Sequence, residues 1–490
     1  MKKKIYQSVI SSVIFMLAAG GCTKEFAELN KNPNAPTDAP TSNVLAWVIQ
    51  DHGSNIYNSW GDMDEPSTYA GHVAKIAYID ESRYQFRDGT VENNWTFASR
   101  ELKNLQLVID QSNVEGNTNM EAVATIFQTF VWQFATDRWR DLPFESALKG
   151  DEGVVLQEYS TQEEIYPELL SRLKSAAELL NDGGIDALGN GDILFNGDLE
   201  RWKRFANSLR LRLAIRVSKV APDLAKTHIE EIAGNPSNYP VMQTNADNAF
   251  LWWPGDLPYL EPWANGQYNP SSARDDHGVA KTLIDALIAL DDPRLPVYAH
   301  PAASDGAYRG AVVGLADADA PNTNTISRIG ARFRDDRAGF TPFMRSSEVY
   351  FILAEAALNG WSVGISAEDA YTKGVTLSLE ENEIPTADIN AYLAGPAAWD
   401  GKVETLYMQK WISLFKNGQE AWAETRRTDF PVLSPAPGSL FPGHNRPPFR
   451  YPYPTTETNL NGNNSAPFVA EVEDSFWGKQ MWWDTRQGVN

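Results

Sequence analysis

The sequence has almost no cysteine and no apolar run long enough to remain in a membrane. Cys22 is the only cysteine among 490 residues, which excludes an intramolecular disulfide and leaves no other thiol for catalysis. The apolar run at about residues 9–19 falls short of the roughly 20 residues that a membrane-spanning helix needs. Any attachment to a membrane must therefore come from something other than a spanning helix.

Familiar catalytic and nucleotide-binding patterns are also missing. The six histidines include no HExxH pair, and there is no Gly-x-Ser-x-Gly, GxxxxGK[ST] or GxGxxG segment. We interpret Arg274-Asp275-Asp276-His277 as the N-terminal cap of a helix rather than as a catalytic group. Although the chain contains 64 Asp and Glu residues, their spacing nominates no glycosidase pair. We therefore predict that the protein is not an enzyme.

Positive charge is scarce relative to negative charge. The 42 Lys and Arg against 64 Asp and Glu give a formal net charge of −22. Such a surface repels phosphates, so nucleic acid and anionic lipid head groups are not expected partners. Acidic clusters at Asp62, Asp64 and Glu65, and at Asp317 and Asp319, lack the glycine and distal glutamate of an EF-hand. We interpret them as solvated acidic loops and expect no cofactor, with structural calcium as the alternative.

The amino terminus has the features of a bacterial lipoprotein signal. A basic start, a short apolar core and small residues lead directly to Cys22, although Ala19 stands where Leu or Val is usual. Several acyl chains on this cysteine would anchor the chain firmly, since each buried CH₂ contributes about 0.8 kcal/mol. We predict a signal peptide at 1–21, an acylated cysteine with a flexible Pro- and Asn-rich tether at 22–42, and a single folded domain at 43–490.

Apolar residues recur at helical spacing through most of the chain. Thr161 and Glu164 form a capping-box pattern at the start of one helix, and another two helices together have the length of a tetratricopeptide-type hairpin. The predicted helices are 94–111, 120–136, 161–180, 199–220, 346–359, 367–379 and 403–415. Long irregular stretches are predicted at 245–272, 299–325 and 430–462. Strand signals are sparse, so we predict a mainly α fold.

Aromatic residues are abundant, with 16 Trp, and several lie among prolines and glycines at 250–270. Because those residues oppose helices and β-ladders, we predict loop-borne aromatics that stack on sugar rings, beside polar side chains that bind hydroxyls. The predicted ligand-binding residues of this segment are Trp252, Trp253, Tyr259, Trp263, Asn265, Gln267, Tyr268 and Arg274. A second aromatic group comprises Tyr57, Trp60, Tyr78, Tyr84 and Trp95, from which we select Trp60 and Tyr84 for ligand binding and assign Trp95 to a helix core. The alternative is that the aromatics of 250–270 anchor the segment to the body of the protein.

Several motifs in the carboxy-terminal third are specific when taken together. They are Gln409-Lys410-Trp411, Asn417-Gly418-Gln419-Glu420-Ala421-Trp422, Glu424-Thr425-Arg426-Arg427-Thr428 and Phe449-Arg450-Tyr451-Pro452-Tyr453-Pro454, with Asp141-Leu142-Pro143-Phe144 upstream. With the Cys22 signal and its tether, they resemble the SusD/RagB family of Bacteroidetes outer-membrane lipoproteins, in its SusD-like branch. The resemblance covers essentially the whole mature chain, with Phe144 where the family has Tyr.

The resemblance implies a helical body of four tetratricopeptide-like hairpins whose irregular loops form the ligand face. It also implies a lipid-anchored position on the outer-membrane surface and a SusC-like TonB-dependent β-barrel transporter as partner. The expected ligand is a glycan, and a peptide-binding lid of a RagAB-like importer is the alternative. A surface glycoside hydrolase and a purely structural partner of the barrel are the remaining hypotheses. The shared motifs imply structural roles for Trp411, Trp422, Arg426 and Arg427.

Overall fold

Helices form wherever the sequence repeats apolar residues at helical spacing. The computed structural model describes residues 39–144, 146–148, 156–181, 188–268, 274–316 and 322–490. Its helices, in chain order, are α1 (Thr41–Ile56), α2 (Pro66–Tyr69), α3 (Asp88–Glu115), α4 (Thr118–Trp139), α5 (Gln162–Leu179), α6 (Leu199–Arg216), α7 (Pro222–Gly234), α8 (Pro262–Tyr268), α9 (Lys281–Ala289), α10 (Leu295–Tyr298), α11 (Ala331–Arg334), α12 (Ser346–Leu358), α13 (Ala367–Glu381), α14 (Thr386–Ala394), α15 (Val403–Ser413), α16 (Gly418–Thr428), α17 (Thr455–Leu460) and α18 (Gly462–Val469). Every predicted helix is present, and the mainly α fold class is confirmed.

Strands are few and short. They are β1 (Val73–Lys75), β2 (Ala249–Trp252), β3 (His277–Val279), β4 (Phe340–Met344), β5 (Val472–Glu473) and β6 (Trp477–Gly478). They form three antiparallel ribbons, β1–β3, β2–β4 and β5–β6, and the first of these places Lys75 opposite His277. Because an isolated two-stranded ribbon is marginal in water, each ribbon depends on the helices around it.

Helices that follow one another in sequence pack as neighbouring layers. Gly116, with φ +70°, ends α3, and the Asn117 side chain accepts a hydrogen bond from the Met120 N–H to cap α4. So short a connection makes the two helices antiparallel neighbours. In the same way α4 packs against α5, α5 packs against α6, and α12 packs against α13. The residues Thr41–Asn490 form one compact unit on this layered core.

The basic helix α6 is buried over most of its surface, not only on its leucine side. Arg212 pairs with Glu348 at 2.7 Å, and Arg216 pairs with Glu420 at 2.5 Å. On α16, Arg427 lies 2.6 Å from Glu355 of α12. These buried ion pairs tie α6, α12 and α16 together.

The other motif residues are also buried among distant segments. The Arg426 guanidinium stacks 3.7 Å from the centre of the Trp422 ring and donates to the Asp137 and Phe449 carbonyls. The Trp411 indole N–H donates to the Ala70 carbonyl at 2.9 Å. The motifs therefore join helices to loops, as the resemblance implies.

Three predictions about local structure are wrong. The segment 250–270 contains part of β2, because its apolar residues pair with β4, and it contains α8. Pro262 begins α8, where a missing N–H costs nothing. The Arg274–His277 segment does not cap a helix: it leads into β3, and Ala280 is the residue that precedes α9. The end of the third predicted stretch is likewise occupied by α17.

The acidic cluster at Asp62, Asp64 and Glu65 is not a solvated loop. All three side chains are buried, at 0–2% exposure, and have protein partners. Asp317 and Asp319 lie outside the described residues. Across the described part of the chain, no helix is both long and apolar enough to cross a bilayer.

Candidate functional site

A cavity of about 320 Å³ lies between the turn after α1, the β1–β3 ribbon and α8. Four of its lining residues, Trp60, Trp263, Asn265 and Arg274, are among the ligand-binding residues predicted from sequence. The fold thus brings together side chains that are separated by about two hundred positions along the chain. Clefts of this size with a few convergent polar groups are typical binding sites for small ligands.

Trp60 presents its ring at the mouth of this cavity. The residues Ser59–Met63 form a single π-helical turn, which Asn58 caps by accepting hydrogen bonds from the Trp60 and Gly61 N–H groups. Turns of this kind are frequent at functional sites. The turn leaves Trp60 49% exposed while Asp62 points inward and is fully buried. An exposed indole beside a cavity is suited to stacking on the apolar face of a ring.

Charged groups on the ribbon form the adjacent wall. The Asp64 carboxylate lies 2.6 Å from His277 Nε2 and 3.4 Å from Lys75 Nζ, and Lys75 also contacts Glu81 at 2.8 Å. Burial alone would raise the pKa of Asp64, but His277 and Lys75 hold that pKa below its ordinary value. Asp64 is therefore ionised at neutral pH, and its carboxylate oxygens already contact His277 and Lys75.

The outer rim carries half-exposed ion pairs. Arg274 pairs with Asp276 at 2.5 Å, and its guanidinium lies 4.1 Å from the centre of the Tyr78 ring. Tyr78 is 70% exposed and has φ 51°, which is unusual for a bulky residue. Arg334 contacts Asp275 at 3.2 Å. These groups can bind the hydroxyl or amide groups of a ligand without leaving a buried charge.

The inner wall is apolar and rigid. Trp263 is 3% exposed, so the prediction that it offers an open stacking face is wrong; its ring packs edge-on against Phe415. The Glu261 carboxylate accepts hydrogen bonds from the Trp263 and Ala264 N–H groups and lies 3.1 Å from Lys416 Nζ. Burial raises the pKa of Glu261 and lowers the pKa of Lys416. The pair fixes the start of α8, which carries Asn265 into the cavity lining.

Trp252 and Tyr259 lie away from this cavity. They are 60% and 50% exposed, at either end of a tight loop in which Asp256 bridges to Tyr259. Their predicted roles as ligand contacts remain predictions. Trp253, the neighbour of Trp252, is buried and its indole N–H donates to Thr341 Oγ1 at 2.9 Å, so its predicted stacking role is wrong.

Tyr84 is the third aromatic residue whose predicted stacking role the structure contradicts. It is 1% exposed, and its hydroxyl accepts a hydrogen bond from the Ala436 N–H. Its ring packs against Trp477 and Tyr69. Tyr84 is therefore a core residue.

Some predicted residues lie outside what the structure describes. Cys22 and the rest of 1–38 are not among the described residues, and only the backbone of Gln267 and Tyr268, at the end of α8, is described. The predicted acylation and the ligand contacts of these two side chains therefore remain predictions. Within the described ranges, no group of three or more His, Cys, Asp or Glu side chains is placed to hold a metal ion.

Two other cavities offer fewer of the predicted features. One of about 640 Å³ lies between α3 and α4 and is lined by Trp95, Leu102 and Trp132. The other, of about 380 Å³, is lined by aliphatic and proline side chains around Val432, together with Tyr84 and polar side chains such as Lys281. Neither combines an exposed indole with the polar residues predicted from sequence.

Sequence reasoning missed several residues of the cavity. Lys75, His277 and Arg334 line it, and Tyr78, named only in the second aromatic group, lies under Arg274 at the rim. Lys75 and His277 meet because β1 pairs with β3, and no spacing pattern announces a pairing over two hundred residues. The unusual backbone of Tyr78 has no sequence signal either.

Comparisons with known proteins give consistent results. The model of a SusD-like family, described as "Starch-binding associating with outer membrane", matches residues 33–454. A solved structure named "chitin-binding protein" is 27% identical, with a TM-score of 0.79, covering 91% of this chain and 100% of its own. No curated protein sequence matches the chain.

Two further solved structures resemble the chain in fold. A chitin-binding SusD homolog from Flavobacterium johnsoniae is 24% identical, with a TM-score of 0.76 over 91% of this chain and 97% of its own. A SusD homolog from Bacteroides uniformis ATCC 8492 is also 24% identical, with a TM-score of 0.78 over 90% of this chain and 99% of its own.

Proposed function

The chain belongs to the SusD-like family, and from this premise we propose that it captures a glycan at the cavity beside Trp60. The observation that carries the proposal is an exposed indole at the mouth of a 320 Å³ cavity lined by Asn265, Arg274 and Lys75. The indole supplies a stacking face, and the polar side chains supply partners for hydroxyls. The 27%-identical chitin-binding structure makes chitin-derived oligosaccharides the first candidates.

The protein binds its ligand and does not cleave it. A glycosidase needs a carboxylic acid that holds its proton near neutral pH, opposite a second carboxylate. Of the cavity carboxylates, Asp64 has a pKa that His277 and Lys75 hold below its ordinary value, so it has no proton to donate. The neighbouring Asp62 has a raised pKa, but its side chain is fully buried and does not line the cavity. Asp275 and Asp276 are each paired with an arginine on the exposed rim. No cofactor or nucleic acid takes part, and calcium is not needed, since each buried carboxylate of the Asp62–Glu65 cluster already has a protein partner.

The chain acts at the cell surface beside an importer. Signal peptidase cleavage leaves Cys22 acylated, the lipid anchors the chain in the outer membrane, and a tether that ends where α1 begins at Thr41 joins the lipid to the folded domain. A SusC-like TonB-dependent barrel receives the ligand. Replacing Cys22 with Ser would release the protein from the membrane fraction. If the unaltered chain does not co-purify with a barrel, the proposed partnership is contradicted.

Calorimetric titration of the full chain tests glycan capture. The panel contains chitin-derived oligosaccharides, starch-derived oligosaccharides and peptides. We expect saturable oligosaccharide binding without release of reducing ends, weakened at least tenfold by Trp60→Ala, which corresponds to ~1.4 kcal/mol. Trp47→Ala is the matched control, because Trp47 is 38% exposed on α1 and does not line the cavity.

Other outcomes lead to other functions. Binding of peptides alone would replace glycan capture with peptide capture, the RagAB-like alternative. New reducing ends would mean hydrolysis. Equal weakening by Trp60→Ala and Trp47→Ala would show that the cavity is not the site.

A further inference from the structure

The turn that carries Trp60 also has hydrogen-bond partners that do not line the cavity. The Gly61 carbonyl accepts hydrogen bonds from Arg138 Nη2 at 2.6 Å and from Gln419 Nε2 at 2.9 Å. Arg138 comes from the end of α4, and Gln419 comes from the first turn of α16. Two helices that do not line the cavity thus converge on the residue next to Trp60.

The two side chains also fix each other. The Arg138 Nε donates to Gln419 Oε1 at 2.9 Å, which orients the Gln419 amide so that its NH₂ group faces Gly61. The Arg138 guanidinium is 1% exposed and lies between the Phe134 and Tyr451 rings, at 4.4 and 4.8 Å from their centres. Its position is therefore set by packing, and the Gln419 amide has one useful orientation.

The turn has no room to move towards α1 or α16. A Cβ on Gly61 would lie 2.5 Å from the carbonyl oxygens of Asn55 and Ile56. A Cβ on Gly418 would lie 2.5 Å from Asp62 Oδ1. Glycine at both positions allows the turn to approach its neighbours closely, and the hydrogen bonds to the Gly61 carbonyl add to this packing in holding the turn.

We propose that Gln419 and Arg138 are positioning residues for ligand capture, which hold the Trp60 indole at the cavity mouth. The proposal rests on the proposed function and gives a ligand-related role to Gln419, a residue of the 417–422 motif. Neither residue lines the cavity, so both act through the turn. A side chain held in place before binding loses less conformational freedom when the ligand arrives.

Fluorine NMR of the full chain labelled with 5-fluorotryptophan tests the proposal without any ligand. The resonance that disappears in Trp60→Phe identifies Trp60. We expect Gln419→Met to shift or broaden that resonance, because Met fills the space but cannot donate to the Gly61 carbonyl. Gln419→Glu should do the same, because a carboxylate cannot donate to the Gly61 carbonyl but can still accept the hydrogen bond from Arg138 Nε.

Affinity for the oligosaccharide supplies the second readout. We expect both Gln419 variants to weaken binding by about fivefold, as the loss of one hydrogen bond of ~1 kcal/mol would do. The matched control is Gln128→Met, which removes a buried glutamine that donates to Gln106 Oε1 on α3. This control should lower thermal stability without moving the Trp60 resonance or the affinity.

The two readouts separate the possible failures. A Trp60 resonance and an affinity that both stay at wild-type values in the two Gln419 variants would overturn the positioning role. If the wild-type chain binds no oligosaccharide or peptide, the proposed function fails, and the Trp60 resonance of the unliganded variants still decides whether Gln419 holds the turn. A shifted resonance in Gln128→Met as large as in Gln419→Met would also overturn the proposal.

Discussion

The buried ion pairs between α6, α12 and α16 and the ion pairs at the rim of the cavity use the same residue types in different settings. The side chains of Arg212, Arg216 and Arg427 are at most 2% exposed. At the cavity rim, Arg274 is 48% exposed and Asp275 is 41% exposed. A buried pair that loses one partner leaves a charge without solvent, whereas a half-exposed pair is compensated by water. The buried pairs therefore hold the structure together. The rim pairs can separate at little cost, which leaves their charged groups able to contact a ligand.

Arg427→Met should have the largest effect on stability. It would leave Glu355 and Glu424 without their main cation, and breaking such a buried pair costs about 3–5 kcal/mol. The free energy of unfolding, from denaturant titration, measures this loss. A change under 1 kcal/mol would mean that the buried network contributes little and would remove the contrast between the two regions.

Two adjacent tryptophans at the end of β2 also differ in burial. Trp253→Ala should cost about 3–5 kcal/mol, because its ring is buried, at 6% exposure. Trp252→Ala should change stability by no more than about 0.5 kcal/mol, since that ring is 60% exposed. Thermal unfolding of both variants distinguishes them, and equal losses would contradict the assignment of Trp253 to the core.

Asp62→Asn should change how stability depends on pH. Burial raises the pKa of Asp62 to about 7 in the folded chain, from an ordinary value of 3.8. The folded state thus binds a proton that the unfolded state releases, so this group's contribution is present below about pH 4 and is lost as the pH rises to about 7. The loss amounts to as much as ~4 kcal/mol. Unfolding measured between pH 4 and 7 should show a shallower decline in Asp62→Asn, and an unchanged slope would contradict the raised pKa.

Arg274→Gln should have only a small effect on stability. Exposed ion pairs contribute about 0–1 kcal/mol, so the free energy of unfolding should stay within that range. Oligosaccharide affinity should fall, because Arg274 lines the cavity. A large loss of stability with unchanged affinity would reverse the roles assigned to the two sets of charges.

Sequence periodicity located the long helices because their apolar faces meet a single layered core. The prediction of an irregular loop failed at 250–270. Proline and glycine oppose regular structure there, but pairing with β4 and the packing of Trp253 and Trp263 outweigh this preference. The abundance of tryptophan also suggested more exposed aromatic side chains than the structure has. Of the 16 Trp, only Trp47, Trp60 and Trp252 are more than a third exposed. Part of the candidate cavity lining was predictable, because tryptophan and arginine are residue types that suit ligand binding, and Trp60 and Arg274 do line the cavity. Lys75 and His277 were not, since their meeting depends on tertiary pairing.

In the proposed function, the cavity beside Trp60 holds the glycan. A crystal structure of the full chain with a bound chitin-derived oligosaccharide tests this placement. We expect a sugar ring stacked on Trp60, with its polar groups in contact with Asn265 or Arg274. A sugar bound instead in the larger cavity between α3 and α4, or against Trp252 and Tyr259, with none at Trp60, would contradict it.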